Sequence, residues 1–192
     1  MTDNGYLKLF EETGALLNGH FKLTSGRHSD VYYEKFTLLK NPAVCTRICE
    51  KMAELFSDCG AVTVVGPTTG GLIIAYDVAR YLGIESIYAE PAEEGTGRVF
   101  KRGFTLDEGQ KVVIVDDVLT TGRSLFEVIK LINSYRADIV GIGVLLDRSG
   151  GKVTFDYPFF PLASVQAESW NPQDCPLCAK GEELTQRGSR KF

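Results

Sequence analysis

The chain has 192 residues, of which 44% are hydrophobic and 24% charged. Those proportions supply one sizeable core and exclude a disordered, collagen-like or coiled-coil chain. Twenty-one lysines and arginines against 25 aspartates and glutamates give a formal charge of −4, so the global balance does not predict a nucleic-acid partner.

The opening segment MTDNGYLKLFEETG lacks the basic and apolar regions of a signal peptide, and its spacing predicts a helix from about Tyr6 to Thr13. Two extended pieces follow, Phe21–Ser25 and Val31–Leu39, joined by a turn at Gly26; Tyr32, Tyr33, Phe36 and Leu38 favour strand. Asn41 and Pro42 form a cap and first helical turn, opening a helix to about Ser57 with Val44, Ile48, Met52 and Leu55 on one face. Beyond it the pattern alternates. Val62–Gly66, Ser86–Glu90, Lys111–Asp117 and Ile139–Leu146 read as strands, with helices at Gly71–Leu82 and Ser124–Tyr135. Continuous apolar strands are buried on both faces, so the expected fold is α/β, a mostly parallel twisted sheet flanked by helices. Trp170 and the aromatics at 157–160 read as core or interface packing. No run approaches the roughly eighteen apolar residues of a membrane span, so no membrane partner is expected.

In such sheets ligands bind beyond the carboxyl ends of the strands. There the run Val112–Val115 is followed by Asp116, Asp117, Val118, Leu119, Thr120, Thr121, Gly122, Arg123 and Ser124. Helix N–H groups and hydroxyls at its end can wrap a phosphate, while two carboxylates can accept hydrogen bonds from a diol. Phosphate and diol together describe a ribose 5-phosphate; the rival reading is that the carboxylates cap the helix or pair with bases. A second loop, Gly66-Pro67-Thr68-Thr69-Gly70-Gly71, also follows a strand, and suits either a pyrophosphate or a plain turn. Residues 90–103 start acidic and end with Arg98, Lys101 and Arg102. If extended, they place Arg98, Phe100 and Arg102 on one face and Lys101 on the other; a solvated hairpin is the alternative. Arg148 ends a buried strand, where its fork can meet a carboxylate or pair with Asp147.

The string 112–124 resembles the phosphoribosyl pyrophosphate motif of the type I phosphoribosyltransferases. Phe21–Arg27 with Tyr32 and Tyr33, and Gly143–Arg148, are similar to segments of the orotate-specific members, so the likeness covers nearly the whole chain. The resemblance implies a single domain over 1–192, with an N-terminal hood at about 1–40, core sheet at about 60–150 and a flexible loop. It assigns phosphoribosyl pyrophosphate to residues 116–124 with Thr68, Thr69, Gly70 and Gly71, and orotate to Thr120, Arg148, Thr24 and Lys22. Lys101, Arg98 and Arg102, with Asp116 and Asp117, become the catalytic set. It further implies Mg²⁺ held mainly by substrate rather than by a fixed protein site, a homodimer, and a place in UMP biosynthesis. Where orotate members commonly carry lysine, this chain has Thr24, and the 66–71 loop offers Thr68 and Thr69 in place of another. Lys22, two residues from Thr24, shares its strand face. A purine-specific enzyme and a non-catalytic sensor of phosphoribosyl pyrophosphate are the competing readings.

The five cysteines, Cys45, Cys49, Cys59, Cys175 and Cys178, form an odd, uneven set unlike a secreted disulfide scaffold, which predicts reduced thiols and a cytoplasmic protein. Cys175 and Cys178 have metal-ligand spacing, but a structural zinc needs four ligands. With no second such pair, and His20 and His28 far away along the chain, free thiols are expected.

Overall fold

The computed structural model describes residues 3–23, 25–93, 97–165 and 168–186. The chain divides into two compact units, one running from Leu39 to Val165 and a smaller one drawn from both ends of the sequence.

The smaller unit opens with α1 (Asp3–Glu12), then an antiparallel hairpin of β1 (Leu16–Lys22) and β2 (His28–Tyr33). Pairing slips between Asn18 and Phe21, where Gly19 and His20 oppose a single residue of β2. Such a bulge re-aims a side chain. After β2 the chain does not remain extended to Leu39, because Lys35–Leu39 coil into the short helix α2. Phe36 favours strand but stays exposed there, whereas the helix buries Leu38 and Leu39.

The larger unit begins with α3 (Pro42–Glu54), whose first turn is capped by Asn41 Oδ1 accepting the Val44 N–H at 3.3 Å. Its Cys45, Ile48, Cys49, Met52 and Ala53 are buried. Then come β3 (Thr63–Pro67), α4 (Gly70–Leu82), β4 (Glu85–Pro91), β5 (Arg98–Val99), β6 (Lys111–Leu119), α5 (Arg123–Ser134), β7 (Asp138–Asp147) and β8 (Phe159–Ser164). They form one sheet in the order β5-β4-β3-β6-β7-β8, parallel except for the small antiparallel strand β5. Every residue of β3 is buried, as are Val112–Asp117 of β6, which is the two-sided burial that a continuous apolar run demands. The mostly parallel α/β sheet expected from the sequence is the fold observed.

In β7, two glycines carve a groove. A Cβ on Gly141 would stand 2.7 Å from the Phe56 ring, and one on Gly143 would stand 3.0 Å from it. Phe56 fills that space and meets Phe160 of β8 edge-on, with ring centroids 5.7 Å apart. Phe159 and Phe160 therefore belong to an edge strand that the sequence reading registered only as packing.

The chain ends in the smaller unit with α6 (Pro176–Ala179) and β9 (Thr185–Gln186), the latter adding parallel to β1. Among the described residues no helix is long and apolar enough to cross a membrane.

Candidate active site

The carboxyl ends of β3 and β6 carry the two loops singled out by sequence. At the end of β6, Asp116 and Asp117 are 7% and 2% exposed. One oxygen of each is tied to the main chain, Asp116 Oδ1 accepting from the Asp117 N–H at 2.8 Å and Asp117 Oδ1 from the Val118 N–H at 2.6 Å. Both carboxylates face the loop after β3. A Cβ on Gly70 would lie 1.8 Å from Asp117 Oδ2, and one on Gly71 would lie 3.1 Å from Asp116 Oδ1. Glycines 70 and 71 are thus the cradle that lets two buried carboxylates stand against a helix start. Hard oxygen donors of this kind suit Mg²⁺, which binds through one or two carboxylates plus substrate and water.

Leu119 is buried, while Thr120 and Thr121 are exposed, so their hydroxyls open to solvent at the mouth of α5. Gly122 turns the chain into that helix with φ +76°, and a Cβ there would come within 2.8 Å of Phe126 and 2.9 Å of Val153. The turn needs glycine on both counts. The first N–H groups of a helix have no partner within it, so the start of α5 offers the kind of donors that suit a phosphate.

Arg98 joins the two loops. Its Nη1 donates to Ala89 O at 2.9 Å and Thr68 O at 3.5 Å, and its Nη2 donates to Ser124 Oγ at 3.1 Å. Its Nε stands 3.6 Å from Glu127 Oε2. Glu127 also receives Arg123 Nε at 2.8 Å, so one carboxylate orders two guanidinium groups. Glu127 was missed in the sequence, although its spacing of four from Arg123 on a helix is a legible pair. Ser124 Oγ, by accepting from Arg98, is left to donate its own hydrogen elsewhere.

The condition of an extended chain after Arg98 is not met. Arg102 and Gly103 take φ values of +62° and +78°, and the Phe104 N–H returns to Lys101 O at 3.1 Å. This tight turn cancels the alternation that would have set Lys101 on the opposite face from Arg102. Instead, both reach the acidic start of the same segment. Lys101 Nζ is 3.0 Å from Glu93 Oε1 and 3.9 Å from Glu90 Oε2, and Arg102 Nε is 3.7 Å from Glu90 Oε1. The Lys101 ammonium, first by its hydrogen bond and then by its charge, holds the Glu93 carboxyl below the usual range.

Arg148 follows β7, and its N–H donates to Leu119 O at 2.8 Å, which ties it to the 119–124 loop. Asp147 directs Oδ1 to the Ser149 N–H at 2.7 Å, closing its own turn. Lys22 ends β1 in the smaller unit; Thr24 lies outside the described residues. A surface depression lined by Val62, Ile84, Glu85 and Gln110 sits at the opposite, amino-terminal ends of the strands and holds none of these groups.

A strand-to-helix turn rich in hydroxyls, a carboxylate pair and a glycine loop meet at the carboxyl edge of a parallel sheet, the arrangement expected of a protein that handles ribose phosphates. Residues 36–178 match the family model of the phosphoribosyl transferase domain, and the chain belongs to that family. An orotate phosphoribosyltransferase of Carboxydothermus hydrogenoformans is 46% identical over 186 residues, 96% of each chain. Another from Caldicellulosiruptor bescii is 40% identical over 191 residues, the full length of both. The crystal structure of the Aeropyrum pernix orotate phosphoribosyltransferase superposes with a TM-score of 0.72 at 29% identity, covering 83% of this chain and 93% of that one.

Proposed function

We propose that this protein is an orotate phosphoribosyltransferase. It transfers the 5-phosphoribosyl group of phosphoribosyl pyrophosphate to N1 of orotate, giving orotidine 5′-monophosphate and pyrophosphate in UMP biosynthesis. The observation that carries the reading is similarity at 40% and 46% identity over 96% or more of the chain to relatives of this name, in a chain whose strand β6 ends at Asp116 and Asp117 ahead of the 119–124 turn.

In this reading the 5-phosphate rests on the first turn of α5, with Thr120, Thr121 and Ser124 donating hydroxyls. Asp116 and Asp117 accept the ribose hydroxyls and offset positive charge on the sugar carbon as pyrophosphate departs. Thr68, Thr69, Gly70 and Gly71 offer backbone and hydroxyl donors to the pyrophosphate. Arg98 positions both loops, and Lys101 and Arg102 supply mobile cations for the leaving group. No protein nucleophile is required, since alignment and fixed charge lower the barrier.

Mg²⁺ would be held mainly by substrate oxygens and water, with the Asp116 and Asp117 carboxylates adding negative charge nearby, and would neutralise charge on the pyrophosphate. Homodimer formation belongs to the same reading, supported by Tyr76, which is 67% exposed on α4, and by exposed Leu55. The cytoplasm, where the described free thiols stay reduced, is its expected compartment.

Purified protein with Mg²⁺ and phosphoribosyl pyrophosphate should consume orotate, followed as loss of its ultraviolet absorbance. Activity with adenine, guanine or uracil and none with orotate would remove the base assignment and leave the transferase reading standing. Recognition of the orotate carboxylate by Arg148 has its own test. Arg148→Ala should raise KM for orotate by roughly tenfold or more, as loss of a charged hydrogen bond predicts. KM for phosphoribosyl pyrophosphate should change much less, and equal rises would count against Arg148.

A further inference from the structure

Folding undoes the separation of the histidines and cysteines along the chain. His20 in the β1 bulge, His28 at the start of β2, and Cys175 and Cys178 around α6 converge, with one ligand atom from each lying within 4.8 Å of all the others. Sequence distance was a poor guide because the carboxyl-terminal segment returns to the hairpin. The Trp170 N–H donates to His28 O and the His28 N–H to Trp170 O, both at 2.9 Å. Arg27 adds Nε to Ser169 Oγ at 2.9 Å and Nη1 to Asn171 Oδ1 at 2.8 Å.

We propose that His20, His28, Cys175 and Cys178 form a tetrahedral zinc site that fastens the carboxyl-terminal segment to the β1–β2 hairpin. Four of the six separations between the ligand atoms lie close to the edges of a tetrahedron around one ion, and all six are within 4.8 Å. Zinc bonds of about 2.3 Å to sulfur and about 2.05 Å to nitrogen imply edges of about 3.6 Å between sulfur and nitrogen and about 3.3 Å between nitrogens. Cys175 Sγ lies 3.4 Å from His20 Nε2; Cys178 Sγ lies 3.7 Å from His20 Nε2 and 3.3 Å from His28 Nδ1. The two ring nitrogens are 3.0 Å apart.

Orientation points the same way. His20 Nδ1 stands 2.9 Å from Glu182 O, so with its proton there it donates to that carbonyl. The Nε2 lone pair is then turned into the cluster, the arrangement by which a carbonyl fixes the tautomer of a metal-binding histidine. His20, His28 and Cys175 are only 3%, 4% and 3% exposed, which keeps solvent from competing, while exposed Cys178 leaves an entry path. The Cys175–Cys178 turn is compact, the Gly181 N–H closing on Cys178 O at 3.0 Å with φ +72° at the glycine. Four protein ligands fill the coordination sphere, so the ion is structural and takes no part in transfer chemistry.

The cluster at Cys45, Cys49 and Asp77 offers three ligand atoms, one fewer than a closed site needs. It serves as an internal comparison. Untagged protein purified under reducing conditions should carry about one zinc per chain by elemental mass spectrometry. Cobalt exchanged into it should show the visible absorption of a tetrahedral site with two thiolates. Cys178→Ser should lose both the zinc and the band, whereas Cys45→Ser should keep them. Chelation should lower the melting temperature by about 10 °C, a few kcal/mol for a chain of this size.

Metal-free wild-type protein with reduced thiols, or a native Cys175–Cys178 disulfide, would overturn the proposal. So would zinc content unchanged by Cys178→Ser. If that variant does not fold, zinc content and the cobalt spectrum of the wild-type chain decide the matter. None of these readouts depends on orotate turnover, so the zinc site and the transferase reading stand or fall separately.

Discussion

Replacing Asp116 and Asp117 together by asparagine is expected to lower kcat/KM about 1000-fold while leaving the fold in place. Each carboxylate is assigned a charge-assisted hydrogen bond to a ribose hydroxyl, worth about 2 kcal/mol apiece. Two such bonds lost from the transition state amount to about three powers of ten. Asparagine keeps the shape and the oxygen that accepts the following N–H, at 2.8 Å for Asp116 and 2.6 Å for Asp117. The melting temperature should therefore move little. Steady-state kinetics beside calorimetry make the check, and a loss below tenfold would return these residues to a capping role.

Gly70→Ala is the second large effect, and it reaches the same carboxylate by crowding. The new methyl would start 1.8 Å from Asp117 Oδ2, inside any permitted contact, so one of the two must move. Asp117 is held by the Val118 N–H and buried at 2% exposure, so its displacement breaks an internal hydrogen bond as well as the proposed ribose contact. We expect kcat/KM to fall about 100-fold, about 2.7 kcal/mol, and the melting temperature to drop by about 3–10 °C, in line with overpacking of about 1–3 kcal/mol. A double-mutant cycle makes the cause specific. In an Asp117→Ala background the methyl has room, so the stability cost of Gly70→Ala should largely vanish. A full cost there would place the strain elsewhere.

The larger unit was readable because its strands are buried on both faces. Val112–Val115 and Ile139–Leu146 show as unbroken apolar runs, and the 119–124 turn is contiguous in sequence, so its candidate chemistry could be read without knowing any distant contact. β8 escaped notice because Pro161 interrupts Phe159–Ser164. At an edge strand, paired only to β7, a proline is tolerated, but its presence weakens the pattern. α2 was misread because five residues are too few to show a helical period, and the strand signal of Tyr32 and Tyr33 runs on through Phe36 and Leu38.

What the sequence could not display was pairing across distance. Arg98 is the clearest case. It was read as a cation available to ligand, yet it is spread over Ala89, Thr68, Ser124 and Glu127, partners drawn from β4, α5 and the loop after β3. The meeting of His20 and His28 with Cys175 and Cys178 is the same kind of fact. Periodicity reports which face of an element is apolar, and it carries no information on which segments come to share one spot.

The ion pairs of Lys101 and Arg102 with Glu90 and Glu93 alter how ionic strength should act on the loop. In the proposed reaction, recruiting Lys101 to an anionic ligand exchanges its two carboxylate neighbours for another negative group, so the ammonium leaves one set of attractions to enter another. Added salt screens both. Much of its influence on this step cancels, and the cation is delivered with a weaker dependence on electrolyte than a bare lysine drawn from water would show.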